Sequence, residues 1–266
     1  MRICSIASGS SGNCIYIGNT STHILVDVGI SGKKCEEGLR TLDLTGKDIN
    51  AILVTHEHSD HIAGLGVMAR KYGIPIYATK LTLDAVKNTS CVKNVSEELL
   101  VPIVSDKSFY INDILVDPMK VSHDAVDPVA YRFEYNGKKA CVCTDLGEYT
   151  DYTVNALKGM DTVLLEANHD VKMLQVGPYP YYLKQRILGR KGHLSNETSG
   201  RLLDAIAHDG LNNVILGHLS NSNNIPELAY EAVRLEVDMS PSPYRAKDFN
   251  LMVAKRSEPS KVLEIG

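Results

Sequence analysis

Thr55-His56-Glu57-His58-Ser59-Asp60-His61 follows directly on an apolar run, Ala51-Ile52-Leu53-Val54. Three imidazoles and a carboxylate within six positions are costly to place in a core, because each needs a polar partner. They make sense together as metal ligands. In an extended chain, residues two apart point the same way, so His56 and His58 are set to grip one ion. Asp60 and His61 fall past the bend and reach toward a second. Nitrogen and oxygen ligands with no thiolate nearby suit zinc, manganese or iron. The competing reading is a polar loop with ordinary histidines. It explains one such residue well and four at this spacing poorly.

The pattern His-x-His-x-Asp-His after a strand resembles the signature of the metallo-β-lactamase fold superfamily. That resemblance requires further ligands from distant segments, each at the end of a strand. His123 follows the extended stretch from Ile114 to Ser122. Asp145 follows Ala140-Cys141-Val142-Cys143-Thr144, and His218 follows Val214-Ile215-Leu216-Gly217. All three stand in the order the family requires. Asp27, in Ile24-Leu25-Val26-Asp27-Val28-Gly29, matches an earlier Asp that orients ligands in this family. The resemblance spans about residues 3 to 220. It implies an α/β fold, the αββα sandwich of two mixed sheets flanked by helices. It also implies two divalent ions per chain. His56, His58 and His123 would hold one, Asp60, His61 and His218 the other, with Asp145 bridging them.

Composition fits this picture. A chain of 266 residues with 44% hydrophobic content has enough apolar material for a sizeable core. No Pro/Ser-rich tract, long charge run or internal repeat suggests a linker, so a single hydrolase domain over 1–266 is expected. The net charge of −4 excludes a globally basic surface. Met1 to Gly9 lacks an apolar signal core, and no stretch approaches the roughly 18 apolar residues of a membrane span. The expectation is a cytoplasmic protein without a membrane partner. Cys4, Cys14, Cys35, Cys91, Cys141 and Cys143 show no Cys-x-x-Cys spacing, and reduced thiols fit that compartment. Cys141 and Cys143 share one strand face, where core packing is the simplest role.

Periodicity predicts strands at Arg2 to Ala7, Cys14 to Gly18, His23 to Val28, Ala51 to Thr55, Pro75 to Ala78, Val129 to Tyr135, Lys139 to Thr144, Thr162 to Ala167 and Val214 to Leu216. Asn136-Gly137 is a strong hairpin signal. Helices are predicted over Lys33 to Leu42, Ile62 to Tyr72, Leu81 to Val86, Thr150 to Lys158, Glu197 to His208 and Pro226 to Leu235. The tail offers strands at Phe249 to Ala254 and Lys261 to Ile265. His23 and His208 match no ligand position and are assigned to structure.

Val171 to Asn196 contains no Asp or Glu, yet carries Lys172, Lys184, Arg186, Arg190, Lys191 and His193. Tyr179, Tyr181 and Tyr182 flank Pro180. Cations interleaved with aromatic rings suit single-stranded nucleic acid, with charge for phosphates and ring faces for bases. A solvated loop and helix face is the alternative. Ser195 fits the N-cap of the following helix, which places His193 beside free backbone N–H groups and a favourable dipole for phosphate. His193 there is suited to protonate a departing oxygen. Ser8 to Asn13, glycine-rich and hydroxyl-bearing, permits close approach of phosphate oxygens or forms a plain turn.

Ala7 to Asn13, Thr55 to His61, Glu166-Ala167-Asn168-His169-Asp170, Gly177-Pro178-Tyr179-Pro180 and Gly192 to Asn196 together resemble the bacterial YycJ (WalJ)-type metallohydrolases, a group associated with 5′→3′ DNA exonuclease activity. The stretch between Asp145 and His218 is too short for the inserted domain of the β-CASP nucleases. The resemblance implies a phosphodiesterase with two divalent ions, zinc or manganese with iron as a further option. Its substrate would be nucleic acid, DNA with single-stranded regions favoured. Asp60 and His193 are the candidate catalytic side chains. Ser10, Asn13, His169, Tyr179, Lys184, Arg186 and Ser195 are the candidate substrate contacts. Alternative readings are a hydrolase of small or cyclic diesters, a ribonuclease Z-like enzyme, or a metal-binding regulator without turnover.

Overall fold

The computed structural model describes residues 1–265 and divides into two compact units. The first comprises Met1–Lys120, Ala125–Lys138 and the C-terminal residues from Lys255. It opens with β1 (Arg2–Ala7), β2 (Cys14–Gly18), β3 (His23–Val26), α1 (Gly32–Arg40) and β4 (Ala51–Leu53). There follow α2 (Ser59–Ile62), α3 (Leu65–Tyr72), β5 (Ile76–Thr79), α4 (Lys80–Lys87) and β6 (Leu100–Ile103). The strands β7 (Phe109–Ile111), β8 (Ile114–Lys120) and β9 (Val129–Tyr135) form an antiparallel meander. The second unit comprises Val121–Asp124 and Lys139–Ala254. Its elements are β10 (Lys138–Cys143), α5 (Asp151–Leu157), β11 (Thr162–Glu166), α6 (Val171–Val176), α7 (Tyr181–Leu188), α8 (Asn196–Ile206), β12 (Asn213–Gly217), α9 (Pro226–Met239) and β13 (Asn250–Val253). β14 (Leu263–Glu264) returns to the first unit and pairs with β1.

The strands make two mixed seven-stranded sheets, ordered β14-β1-β2-β3-β4-β5-β6 and β13-β12-β11-β10-β9-β8-β7. In the first, β1 to β3 are antiparallel and β3 to β6 parallel. In the second, β10 to β13 are parallel. Strands buried along their whole length read as continuous apolar runs; Thr162 to Glu166 and Ala51 to Leu53 are both fully buried. The first unit's core gathers Tyr16, Leu25, Ile52, Met68 and Ile76. Cys141 and Cys143 are buried, and no disulfide forms among the described residues. No helix among them is long and apolar enough to cross a membrane.

The strands point the site residues by ending abruptly. β3 stops at Val26, two residues short of the sequence expectation, because Asp27 takes φ 60°. Asp145 and His218 follow β10 and β12 by one or two residues and take φ 59° and 56°. Non-glycine residues in this left-handed region are strained and concentrate at functional positions. Asn136 (φ 50°) and Gly137 (φ 73°) take the left-handed pair that a tight hairpin turn requires.

The helix expected over Ile62 to Tyr72 is instead two. α2 is one turn that carries Asp60 and His61, and α3 starts after Gly64. The break has a steric cause. Gly64 N donates to Val28 O at 2.8 Å, and a Cβ on Gly64 would lie 2.0 Å from Ile30 O. The acid-free segment after Asp170 forms two short helices. Asp170 caps α6 by accepting from Met173 N at 2.7 Å. His23 and His208 are structural: His23 Nδ1 meets Tyr16 Oη at 2.8 Å, and His208 Nε2 donates to Met160 O at 3.1 Å.

The loop bearing Asp60 is locked by backbone contacts. Asn13 N donates to Asp60 O at 2.8 Å, and Gly29 N donates to Asn13 O at 2.7 Å. A Cβ on Gly29 would fall 1.6 Å from Asp60 O. Gly29→Ala is therefore expected to destabilise the protein by at least the roughly 1–3 kcal/mol typical of overpacking, read as a lower denaturant midpoint for the metal-free chain. An unchanged midpoint would show that this loop yields freely.

Candidate metal centre

In the first unit a buried carboxylate organises the imidazoles. Asp27 Oδ1 accepts from Thr55 N, and its Oδ2 accepts from Thr55 Oγ1, both at 2.9 Å. Oδ2 also accepts from His61 Nδ1 at 2.7 Å. Thr55 Oγ1 has given its hydrogen to Asp27, so it accepts from His56 Nδ1 at 3.0 Å. Both rings then carry the lone pair on Nε2, the arrangement of a metal-ligating histidine. His56 Nε2 lies 2.9 Å from His58 Nδ1, and Asp60 Oδ2 lies 3.5 Å from His61 Nε2. His58 occupies the N-cap of α2 without a side-chain capping bond. Asn13, expected to meet substrate, is buried. Its Oδ1 accepts from Gly9 N at 3.0 Å and its Nδ2 reaches His61 Nε2 at 3.1 Å. Ser10 is exposed.

The second unit repeats this wiring around Glu166. That residue is fully buried at the end of β11. Its Oε1 accepts from His193 Nδ1 at 2.7 Å and from His218 Nδ1 at 2.9 Å. Its Oε2 accepts from Leu146 N at 2.8 Å and Leu194 N at 3.2 Å. Burial alone would raise the Glu166 carboxyl. The charge and hydrogen bond of His193, then those of His218, reverse this and hold it at about 2. Burial lowers His193 in turn, and the Glu166 charge and hydrogen bond outweigh it, so the imidazole stays protonated above its ordinary range. His123 donates Nδ1–H to Gly192 O at 3.0 Å, and burial holds its basicity down.

Asp145 Oδ1 stands 3.6 Å from both His123 Nε2 and His218 Nε2. That is too long for a hydrogen bond. It approaches the separation of two ligands that each sit about 2 Å from one ion. Asp145, Glu166, His193 and His218 offer ligand atoms within 4.8 Å of one another. The donor chemistry of both units thus fits divalent cations. Glu166 was not singled out as a site residue by sequence reasoning. Its signal was an acid closing the apolar run Thr162 to Leu165, a position that burial makes expensive unless it is used.

Asn168 and His169 line the loop after β11. Asn168 Nδ2 donates to His218 O at 2.9 Å, and His169 Nδ1 donates to Asn168 Oδ1 at 3.3 Å. Burial lowers His169 to about 4, so its ring is neutral. Ser195 does cap α8, accepting from Thr198 N at 3.2 Å. The helix N-terminus is less open to phosphate than expected, because Asn196 N donates to His169 O at 2.9 Å. The basic segment is also less free than its composition suggested. Arg186 pairs with Asp124, Arg190 Nε donates to Glu148 Oε2 at 2.7 Å, and Lys184 Nζ donates to Gln175 O at 2.7 Å. The acids missing from the segment come from neighbouring loops. Tyr179 is half-buried, while Tyr181 and Tyr182 are about three-quarters exposed, at 76% and 75%.

Glu166 makes the stability of the metal-free protein depend on acidity in a defined window. Its folded carboxyl lies at about 2 against 4.5 for an ordinary Glu. A depressed group stabilises the fold above the unfolded value and loses that contribution as pH falls toward the folded value. The stability advantage of wild type over Glu166→Gln should therefore be full near neutrality and shrink as pH falls from 4.5 toward 2, as followed by chemical unfolding. A constant difference across that window would exclude this role.

Comparison with known proteins agrees with the geometry. The Beta-lactamase superfamily domain matches residues 22–218. The chain is 40% identical over 228 residues to Exodeoxyribonuclease YycJ of Bacillus anthracis, covering 86% of each protein. It is 43% identical over 227 residues to Exodeoxyribonuclease WalJ of Streptococcus pneumoniae, covering 85% of this chain and 84% of that one. Among solved structures, Zn(2+)-bound PqqB of Methylobacterium extorquens superposes with a TM-score of 0.72 at 16% identity, over 99% of this chain and 100% of the other. The fold is that of the metallo-β-lactamases, and the chain belongs to the beta-lactamase superfamily as a metal-dependent hydrolase of the YycJ/WalJ family.

Proposed function

We propose that this chain is a two-metal phosphodiesterase that removes nucleotides from the 5′ end of DNA. The observation that carries the reading is the common wiring of the two ligand sets. In each, a buried carboxylate takes the Nδ1 hydrogen of one histidine, His61 in the first and His218 in the second, and leaves that ring's Nε2 to a cation. His56, His58, Asp60 and His61 form one set, and His123, Asp145 and His218 the other. Zinc, manganese or iron suits these nitrogen and oxygen donors. The names of the YycJ and WalJ relatives support DNA as substrate and an exonucleolytic mode.

Bound ions would lower the pKa of a water molecule and neutralise charge on the phosphoryl oxygens. The remaining work falls to the chain itself. Asp60 and Asp145 would be carboxylate ligands to such ions. His193, with Nδ1 held by Glu166 at 2.7 Å, is oriented to deliver a proton to the departing oxygen. The Glu166 charge and hydrogen bond raise the basicity of that imidazole above its ordinary range. Tyr181 and Tyr182, exposed on the same segment, present ring faces to a strand.

One assay tests this. Metal-stripped protein is given zinc or manganese and end-labelled single- and double-stranded DNA or RNA. DNA should shorten from its 5′ end only after metal is restored. His193→Ala should lower kcat on DNA by roughly 10²–10⁴, and should cost far less on a nitrophenyl phosphodiester, whose leaving group needs little protonation. Hydrolysis confined to RNA or to small diesters would refute the DNA reading. Equal losses on both substrates would refute the role of His193.

A further inference from the structure

The second unit contains a cavity of about 460 Å³ whose wall includes His193. Val171 and Leu188 give it aliphatic surface, and His169, Glu197, Thr198 and Arg201 give it polar surface. Two residues of this wall carry a buried acceptor atom without a hydrogen-bond partner. His169 is only 1% exposed, and its Nε2 makes no hydrogen bond. Its tautomer is fixed from outside. Asn168 turns Oδ1 toward His169 because its Nδ2 donates to His218 O, so the hydrogen sits on Nδ1 and the lone pair on Nε2. Glu197, in the first turn of α8, has a buried Oε2 that likewise has no partner. Buried acceptors left without donors are costly.

Two unmatched acceptors select the ligand. A phosphate dianion carries acceptors only, and would meet both the Glu197 charge and the His169 lone pair. Donors near the start of α8 are already engaged, since Thr198 N donates to Ser195 Oγ and Leu194 N to Glu166 Oε2. A flat group with apolar faces and N–H donors on its edge is the complementary shape. Nucleobases have that character and are read in enzyme pockets through their hydrogen-bonding edge.

We infer that this cavity receives the base of the departing nucleotide, which donates to His169 Nε2 and Glu197 Oε2 while its faces lie against Val171 and Leu188. The inference rests on the proposed exonuclease reading. In hydrolysis from a 5′ end, water oxygen bonds to phosphorus and the P–O3′ bond of the terminal nucleotide breaks. O3′ takes the proton delivered by His193, and the water's proton is released to solvent. The terminal nucleotide therefore departs on the His193 side, and His193 is part of the cavity wall. Guanine presents two adjacent donor groups, N1–H and N2–H, to a carboxylate. Thymine presents only N3–H.

The test compares strands that differ only in a 5′-terminal dG or dT, digested by the metal-loaded full chain. Wild type should release dG with a kcat/KM roughly 10-fold above dT, the effect of one charge-assisted hydrogen bond. Glu197→Ala should bring that ratio close to one. Glu197→Gln keeps the volume and serves if the alanine variant does not fold; His169→Gln should also compress the ratio. No preference in wild type, or an unchanged ratio in the variants, overturns the inference. Equilibrium dialysis of dGMP and dTMP against the metal-loaded protein separates it from the exonuclease reading. If no DNA is digested but dGMP binds more tightly and loses that advantage in Glu197→Ala, the cavity assignment stands alone. Equal binding of the two nucleotides overturns it.

Discussion

Two carboxylates that solvent does not reach, Asp27 and Glu166, set the chemistry of this protein. An ionised carboxylate in a protein interior is tolerable only when every lone pair it presents is answered. Asp27 is answered by Thr55 and His61, Glu166 by His193, His218 and two backbone amides. Each therefore dictates the tautomer of the rings around it. The fitness of those rings for a metal ion follows from the burial of their neighbours as much as from their own presence in the sequence.

The folding of the strands supplies the second half of the arrangement. Asp27, Asp145 and His218 all lie just past the end of a buried strand and all adopt a left-handed backbone. A strand fixes where its last residue sits; the abrupt change of φ then turns the next side chain out of the sheet. This strain persists because flanking contacts over-determine it. Asp27 N donates to Leu53 O at 2.8 Å, and Gly147 N, two residues past Asp145, donates to Ser122 O at 2.7 Å. Fold stability and ligand placement are thus coupled within each unit.

The cluster His56 to His61 was legible because four ligand-type residues at that spacing have no good structural use. Asp145 and His218 were legible as polar residues closing apolar runs. The two-sheet architecture was reached through resemblance; periodicity alone gives only an α/β chain. Glu166 stayed hidden because a single buried acid looks like any strand-terminal Glu until its partners, far away in sequence, are known. The split between α2 and α3 was also hidden, since it arises from the approach of Ile30 O to Gly64 rather than from local propensity. The basic segment misled in one respect. Its lack of acids is a local property, whereas Asp124 and Glu148 reach it from other loops.

The tautomers of His61, His123 and His218 are fixed by their hydrogen bonds before any ion arrives. Nitrogen-15 NMR of the metal-free protein at mildly alkaline pH measures this directly, because the ring nitrogen shifts report which nitrogen carries the hydrogen. The hydrogen should sit on Nδ1 in His61, His123 and His218, each as a single tautomer. Glu166→Gln should release His218 while leaving His61 unchanged. Mixed tautomers at all three rings in the wild-type protein would contradict the claim that buried carboxylates and carbonyls pre-set the ligands.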